Sequence, residues 1–394
     1  MNPTYMNKLI LYSVIALIIG ISCDEDEIGP KQADKFVKYY GGLAEDYGSD
    51  VKQLPDGGYF IVGTITVGDN TNAFRLITDK NGNSKVSLKT YGGPFNDKIS
   101  RIKLLSDGSA VAIGTYQRSL NNSDIWLIRF DSKGDTLWTR KFGTTSNDEG
   151  NGLLVNAENE IVCTGTTTIQ KNNVPDKEIW IHAINLDGSE SWPQERTHGT
   201  TNKEDEGNDI VEVGGTYVVI GTTNGFPFGT TSKNIAVWIS TDRKGISGYM
   251  KTIGGDDDDY GKMAKVLPDG DLLIIGSTVN TTSNKYDIIL AKLDASFNEL
   301  LQPKILDNGE NETASFLLYQ NNQIYILGTT TEPRTVTKKI LLINASESGD
   351  NPLFFKYGFK NEVMEGYGMD HTSDGGIVFT GSNLVLYKIK DLGE

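Results

Sequence analysis

The stretch TIGGDDDDYGK sets four aspartates, Asp256, Asp257, Asp258 and Asp259, directly behind a diglycine. Side chains of this type and density suit three kinds of chemistry. As hard oxygen donors they suit Ca2+, which gathers about six to eight such ligands. As a fixed negative patch they suit a basic peptide or a cationic glycan. As a separated pair they suit the acid and base roles of glycan cleavage. The plainer use is structural: an aspartate ahead of a tight, glycine-containing loop accepts backbone N–H bonds and fixes the turn.

Other chemistry-bearing residues narrow these uses. His182, His198 and His371 are the three histidines, and none stands in a Ser-His-Asp, metal-ligand or phosphate-loop pattern. The run DKNGNSK at 79–85 lacks the later glutamate of a calcium loop and reads as a turn. Spacing therefore fixes no metal set: Ca2+ is the one cofactor left open, and no other is implied. An enzyme reading rests on scattered carboxylates alone.

The elements that must position these residues are announced by repetition, the feature to look for before any local assignment. A strand-like run ending in Gly-Thr or Gly-Ser recurs as YFIVGT, AVAIGT, EIVCTGT, YVVIGT, LLIIGS, IYILGT and GIVFTGS. Its glycines are Gly63, Gly114, Gly165, Gly221, Gly276, Gly328 and Gly381, at intervals of 51, 51, 56, 55, 52 and 53 residues. Seven residues before each glycine is a turn residue: Asp56, Asp107, Glu158, Gly214, Asp269, Asn321 or Asp374. Turns of this kind between apolar runs mark a hairpin. A third strand (AFRLITD, DIWLIRFD, EIWIHAIN and their counterparts) and a fourth (best seen in DTLWTRKFG) complete each unit. Four short antiparallel strands in units of this length predict an all-β fold, a seven-bladed β-propeller. The last unit stops after its third strand at LYKIKDLGE, and KFVKYYGG near the start aligns with LWTRKFGT, Phe36 over Trp138 and Tyr40 over Phe142. The N-terminal strand is therefore expected to complete the last blade and close the ring, removing exposed edges.

Seventeen residues before the Gly-Thr glycine stand Asp46, Asp97, Asp148, Asp259, Asn311 and Met364, with Asp205 in the shorter fourth unit. Asp259 is thus one of a recurring set, and a residue type that recurs blade after blade is read first as a turn-builder. The ligand reading stays beside it. These loops gather at one mouth of the central channel, where Asp46, Asp97, Asp148, Asp205, Asp256, Asp257, Asp258 and Asp259 form a candidate acidic ring, with Glu45, Glu149, Glu204 and Glu206 adding charge. Phe74, Trp126 and Trp180 occupy equivalent third-strand places and are expected to pack blade against blade. Phe226 and Phe228 flank Pro227 in the variable loop NGFPFGTTSKN and form a candidate contact surface. The loop after Gly381 is nearly absent, which predicts a notch between blades 6 and 1 as a ligand entrance.

The segment IGGDDDDYGKMAKVLPDGDLLIIGST resembles the repeat of the bacterial SBBP-type β-propeller proteins, with a Gly-Gly, an Asp-Asp-x-Gly and a later Asp-Gly before an apolar strand. The likeness spans residues 36–394 and wears away in units 6 and 7, where DNGENETAS and YGFKNEVMEG replace the pattern. It implies the propeller fold. It implies no particular function, because propellers host many unrelated activities.

Residues 1–22 have the layout of a secretory signal: Lys8, the apolar run LILYSVIALIIGIS, then Cys23. Ser22 before Cys23 resembles the bacterial lipoprotein signal, whose cysteine is lipidated, although Gly20 stands where that signal usually has leucine. The DEDE that follows resembles the export tag carrying Bacteroidetes lipoproteins to the outer face of the outer membrane. The expected organisation is a signal peptide at 1–22, a lipidated Cys23 with an acidic linker over 23–34, and the propeller over 35–394. Cys163, in EIVCTGT, is expected in the core.

A net charge of -15 without any basic stretch points away from nucleic acid. The expected protein is exported, held on the outer membrane through Cys23 and exposed at the cell surface. There it would act as a non-catalytic binding or assembly module, with a glycan, peptide or envelope protein at its loop face. Two alternatives stand beside this: an envelope polysaccharide hydrolase or lyase using the mouth carboxylates, and a structural accessory of an outer-membrane complex.

Overall fold

A computed structural model describes residues 35–41, 46–225, 233–280, 284–332, 337–359, 362–390 and 392. The expectations for the signal segment, Cys23, the acidic linker, Glu45, Phe226 and Phe228 lie outside the described residues. Regular structure among the described residues is entirely β, in seven four-stranded antiparallel sheets. The innermost strands are Tyr47–Gln53, Lys98–Leu104, Glu149–Val155, Asp205–Val213, Asp258–Val266, Asn311–Gln320 and Gly366–His371. Each contacts the sheet before and the sheet after, and the first meets the seventh, so the blades close into the ring that the repeats predict.

Closure uses the expected strand. Phe36–Tyr39 pairs antiparallel with Val385–Ile389, Phe36 opposite Lys388 and Tyr39 opposite Val385. The alignment of Phe36 with Trp138 holds in three dimensions. Phe36 lies against the turn glycine Gly82, and Trp138 lies against the equivalent Gly188 one blade on from its own.

The apolar residues segregate into seven clusters, each shared by two neighbouring blades. Phe74, Trp126 and Trp180 fall in successive clusters, at the 7–1, 1–2 and 2–3 junctions. A period-2 strand buried on both faces must supply apolar groups to both neighbours, hence the near-continuous burial of the second and third strands. Cys163 is a free, buried thiol in the 2–3 cluster, and burial pushes its pKa up.

The recurring Gly-Thr glycine has a specific cause. Every innermost strand carries a β-bulge, at Gly48, Ile99, Gly150, Gly207, Gly261, Ala314 or Gly366. The bulge drives the preceding carbonyl against the second strand. A Cβ on Gly63, Gly114 or Gly165 would sit 2.0 Å from the oxygen of Tyr47, Lys98 or Glu149. Only glycine leaves that space.

Two sequence expectations change. The stretches after Gly63, Gly114 and Gly165, of varying length between second and third strands and expected as loops, are strand extensions closed by tight hairpins, pairing Val67 with Asn70, Ser119 with Asn122 and Lys171 with Val174. The sixth unit is also one residue short. Its Asn321–Asn322 turn, both residues at positive φ, pairs Gln320 with Gln323 directly. The residue two before the bulge, where Asp259 stands in blade 5, is therefore Glu312 and not Asn311.

Candidate functional site

The recurrent aspartates are buried, one to a blade, and each is committed to its own loop. The Asp97 carboxylate accepts from Gly93 N–H at 2.6 Å and Gln117 N–H at 2.8 Å. Asp148 accepts from Thr144 N–H, Thr168 N–H at 3.0 Å and the Thr167 hydroxyl. Asp205 accepts from Thr200 N–H at 2.6 Å and the Thr223 hydroxyl, Asp259 from Gly255 N–H at 2.9 Å, and Asp46 from Thr66 N–H at 2.7 Å. Their own amides reach back to the preceding blade: Asp97 to Thr71 O, Asp148 to Ser123 O and Asp259 to Lys233 O. Each such aspartate staples three strands of two blades. Burial pushes the Asp97, Asp205 and Asp259 carboxyls up, against the pull of these bonds.

The rest of the acidic mouth is answered by lysines. Lys98 stands 3.1 Å from Glu149, Lys177 2.8 Å from Glu206 and Lys233 3.3 Å from Glu204. Asp258 accepts from Lys233 N–H at 2.7 Å, while Asp256 is exposed. The eight carboxylates of the candidate ring are spread over five blades and do not converge on a point.

Three carboxylates do converge elsewhere. Asp287, Asp307 and Glu312 bring oxygens within 4.8 Å of one another. The Lys285 ammonium stands 3.0 Å from Asp287 and 2.6 Å from Asp307. Glu312 is fully buried, and its Oε2 has no hydrogen-bond partner. Burial, with Asp307 and Asp287 adding to it against Lys285, raises its pKa to about 7. The sign follows. The folded state holds a proton that the unfolded state has released, so Glu312 favours folding fully below about pH 4.5, and this is lost as pH rises through about 7. Glu312→Gln is expected to raise the unfolding free energy at pH 7.5, by about 1–3 kcal/mol, and to change it little at pH 4.5. Urea titrations at both pH values measure this. Part of the slope will remain, because burial also raises Asp209 to about 6.

The lining of the central channel, of which sequence reading named only a mouth, is built in tiers by the innermost strands. The residue after each bulge, Ser49, Ser100, Asn151, Asn208, Lys262, Ser315 or Tyr367, lines a waist of about 310 Å³ to which all seven blades contribute. Asn151 donates to Gly207 O at 2.9 Å, and Asn208 to Gly261 O at 2.8 Å, tying each bulge to the next. Arg101 crosses the lumen: its guanidinium donates to Ser315 O at 3.2 Å and lies 5.1 Å from the centre of the Phe316 ring. It lines both the waist and a second chamber of about 520 Å³ toward the Asp-Gly turns, where Lys52 and Asp50 pair at 2.8 Å.

On the opposite, loop face a depression of about 550 Å³ lies over blades 1 to 3, with Tyr367 of blade 7 at its edge. Asn96, Gln117 and Asn147 line it beside Leu120, which is 80% exposed. Tyr47, Lys98 and Tyr367 line both depression and waist, so the two adjoin. The turn after Gly381 is as short as expected, and the depression opens over blades 1 to 3. The stretches 42–45 and 333–336 lie outside the described residues, and the notch expected between blades 6 and 1 stays an expectation.

No family model matches the chain, and no curated protein is similar to it. Among solved structures, that of a streptogramin B lyase is 14% identical, covers 90% of this chain and 97% of its own, and superposes with a TM-score of 0.53. YCF48 bound to D1 peptide gives 10% identity, 90% and 97% coverage and a TM-score of 0.52. The polysaccharide lyase Uly1 gives 11%, 93% and 94%, and 0.54. At such identities the likeness shows the fold alone: this chain is a seven-bladed β-propeller. The neighbours' activities differ from one another, so the fold selects none of them.

Proposed function

We propose that this protein is a surface lipoprotein of SBBP type, anchored through Cys23, whose propeller is a non-catalytic binding module with a peptide segment as its ligand. One observation carries the binding reading over the hydrolase or lyase reading. Of the mouth carboxylates that catalysis would need as free acid and base, the recurrent aspartates are buried and bonded to loop amides, and Glu149, Glu204 and Glu206 are paired with lysines. A general acid or base must instead reach the proton it moves.

The depression over blades 1 to 3 supports a peptide as ligand. The Asn96 and Gln117 side-chain oxygens already accept from Thr71 N–H at 2.9 Å and Asn96 N–H at 3.0 Å. The Asn96 side-chain nitrogen and the Asn147 amide are therefore the groups that face an extended backbone, and Leu120 offers an apolar anchor at the rim. The peptide-bound propeller among the neighbours is a precedent for the fold in this role.

The test is a display screen of the full chain against random peptides and a glycan array, with Leu120→Asp beside the wild type. Enrichment of peptides, lost in Leu120→Asp at an unchanged unfolding midpoint, is the expected result. Glycan binding alone, or peptide binding indifferent to Leu120, would overturn it.

A further inference from the structure

The channel waist has a charge that the rest of the chain does not lead one to expect. The protein carries 52 acidic against 37 basic residues, yet the waist is lined by Lys98, Arg101 and Lys262 and by no carboxylate. Its remaining lining is mostly hydroxyl and amide side chains, which solvate an anion well.

The three cations are unequally satisfied. Lys98 has Glu149 at its outer end. Arg101 is held only by backbone carbonyls and the Phe316 ring, and its buried Nε has no hydrogen-bond partner. Lys262 has no ion pair among the described residues and stands half-buried in the lumen. Burial, and behind it Arg101 and Lys98, lowers its pKa to about 8, with only Asp209 opposing. Enclosed charge without a counter-charge is costly, and guanidinium and ammonium groups sharing one wet cavity are what an oxyanion requires.

We propose that the waist is a binding site for a compact oxyanion (phosphate, sulfate or the terminal carboxylate of a small molecule), held between Arg101 and Lys262 with Ser315 beside them. At about 310 Å³ the waist holds such an anion together with several waters, each filling about 30 Å³. The loop-face depression adjoins the waist at Tyr47, Lys98 and Tyr367 and is the side nearest solvent for entry. The waist takes its anion whether or not the depression above it binds a peptide.

The test titrates the full chain with sodium phosphate, sulfate and acetate, each at one ionic strength held with sodium chloride, and follows heat of binding and thermal unfolding. A saturable rise in the midpoint is expected for at least one of the three. Phosphate or sulfate as the active salt identifies a free inorganic oxyanion, and acetate alone identifies a carboxylate ligand. In Lys262→Met the anion response should weaken at least tenfold while the anion-free midpoint stays level or rises. Lys262→Gln serves if the methionine variant does not fold, and Lys85→Met, an exposed lysine far from the channel, should respond like wild type. No saturable response above chloride, or an undiminished response in both Lys262 variants, overturns the site.

Discussion

Asp148→Ala is expected to lower the stability of the propeller by about 3 kcal/mol, while Asp256→Ala changes it by less than about 0.5 kcal/mol. Both remove one aspartate from the same recurring loop type, so the contrast isolates what position does. Asp148 is fully buried, and its removal strands the amides of Thr144 and Thr168 and the hydroxyl of Thr167. Each buried donor left unsatisfied costs about 1–3 kcal/mol, and partial access of water to the loop trims the sum. Asp256 is exposed, and water replaces whatever it touches. Asp148→Asn should fall between them, since its amide nitrogen would turn a donor toward a donor. Midpoints in urea for the three variants measure this, and equal losses at Asp148 and Asp256 would remove the staple assignment.

This contrast bears on what the run of four aspartates is for. Asp259 belongs to the stapling set, and Asp258 caps the amide of Lys233. Asp256, the exposed member, then sits outside the repeat's own requirements, and the run combines structural residues with one that faces solvent.

The fold was legible because its strongest constraints recur at fixed spacing. Each Gly-Thr glycine must clear a bulge carbonyl, each Asp-Gly turn must reverse the chain, and each third strand must feed two interblade cores, so the signal repeats seven times. The channel's lining was not legible, for two physical reasons. The bulge adds one residue to each innermost strand and resets the period-2 alternation, so a simple inward-outward reading loses its phase just where Ser49, Asn151 and Lys262 turn to the lumen. A lumen-facing lysine is also chemically identical in sequence to a solvent-facing one. Only the ring brings Arg101 of blade 2 across to Ser315 of blade 6. The misplacement of Asn311 has a related origin: counting back from Gly328 assumes a constant hairpin, and the two-residue Asn321–Asn322 turn shortens it by one, moving the buried carboxylate to Glu312. The sequence signal that would have found the waist is the residue following Gly48, Gly150, Gly207, Gly261 and Gly366, a second and weaker glycine series inside the first.

Removing the chain up to Tyr40 is expected to cost on the order of 5 kcal/mol or more and to increase association between chains. The third strand of the last blade, Val385–Ile389, is buried along its whole length, and without Phe36–Tyr39 it becomes an open apolar edge. Phe36 packs edge-on against Tyr59 at 5.9 Å between ring centres, and the Tyr40 hydroxyl donates to Gly82 O, so the strand fastens blade 7 to blade 1 as well as to its own sheet. The loss therefore weakens the junction of blades 7 and 1 from its outer side. The inner strands Tyr47–Gln53 and Gly366–His371 still meet, and the shared cluster keeps Val51, Ile61, Phe74, Val378 and Leu386. Phe36→Ala separates packing from pairing. It keeps the backbone ladder, should cost about 3 kcal/mol, and should leave association between chains unchanged. A synthetic peptide KFVKYYG added to the truncated chain should restore the midpoint in a saturable way, because an exposed edge recruits a matching strand. Light scattering and urea midpoints read all three, and a truncated chain that associates no more than wild type, at the wild-type midpoint, would mean that the junction of blades 7 and 1 holds without the N-terminal strand.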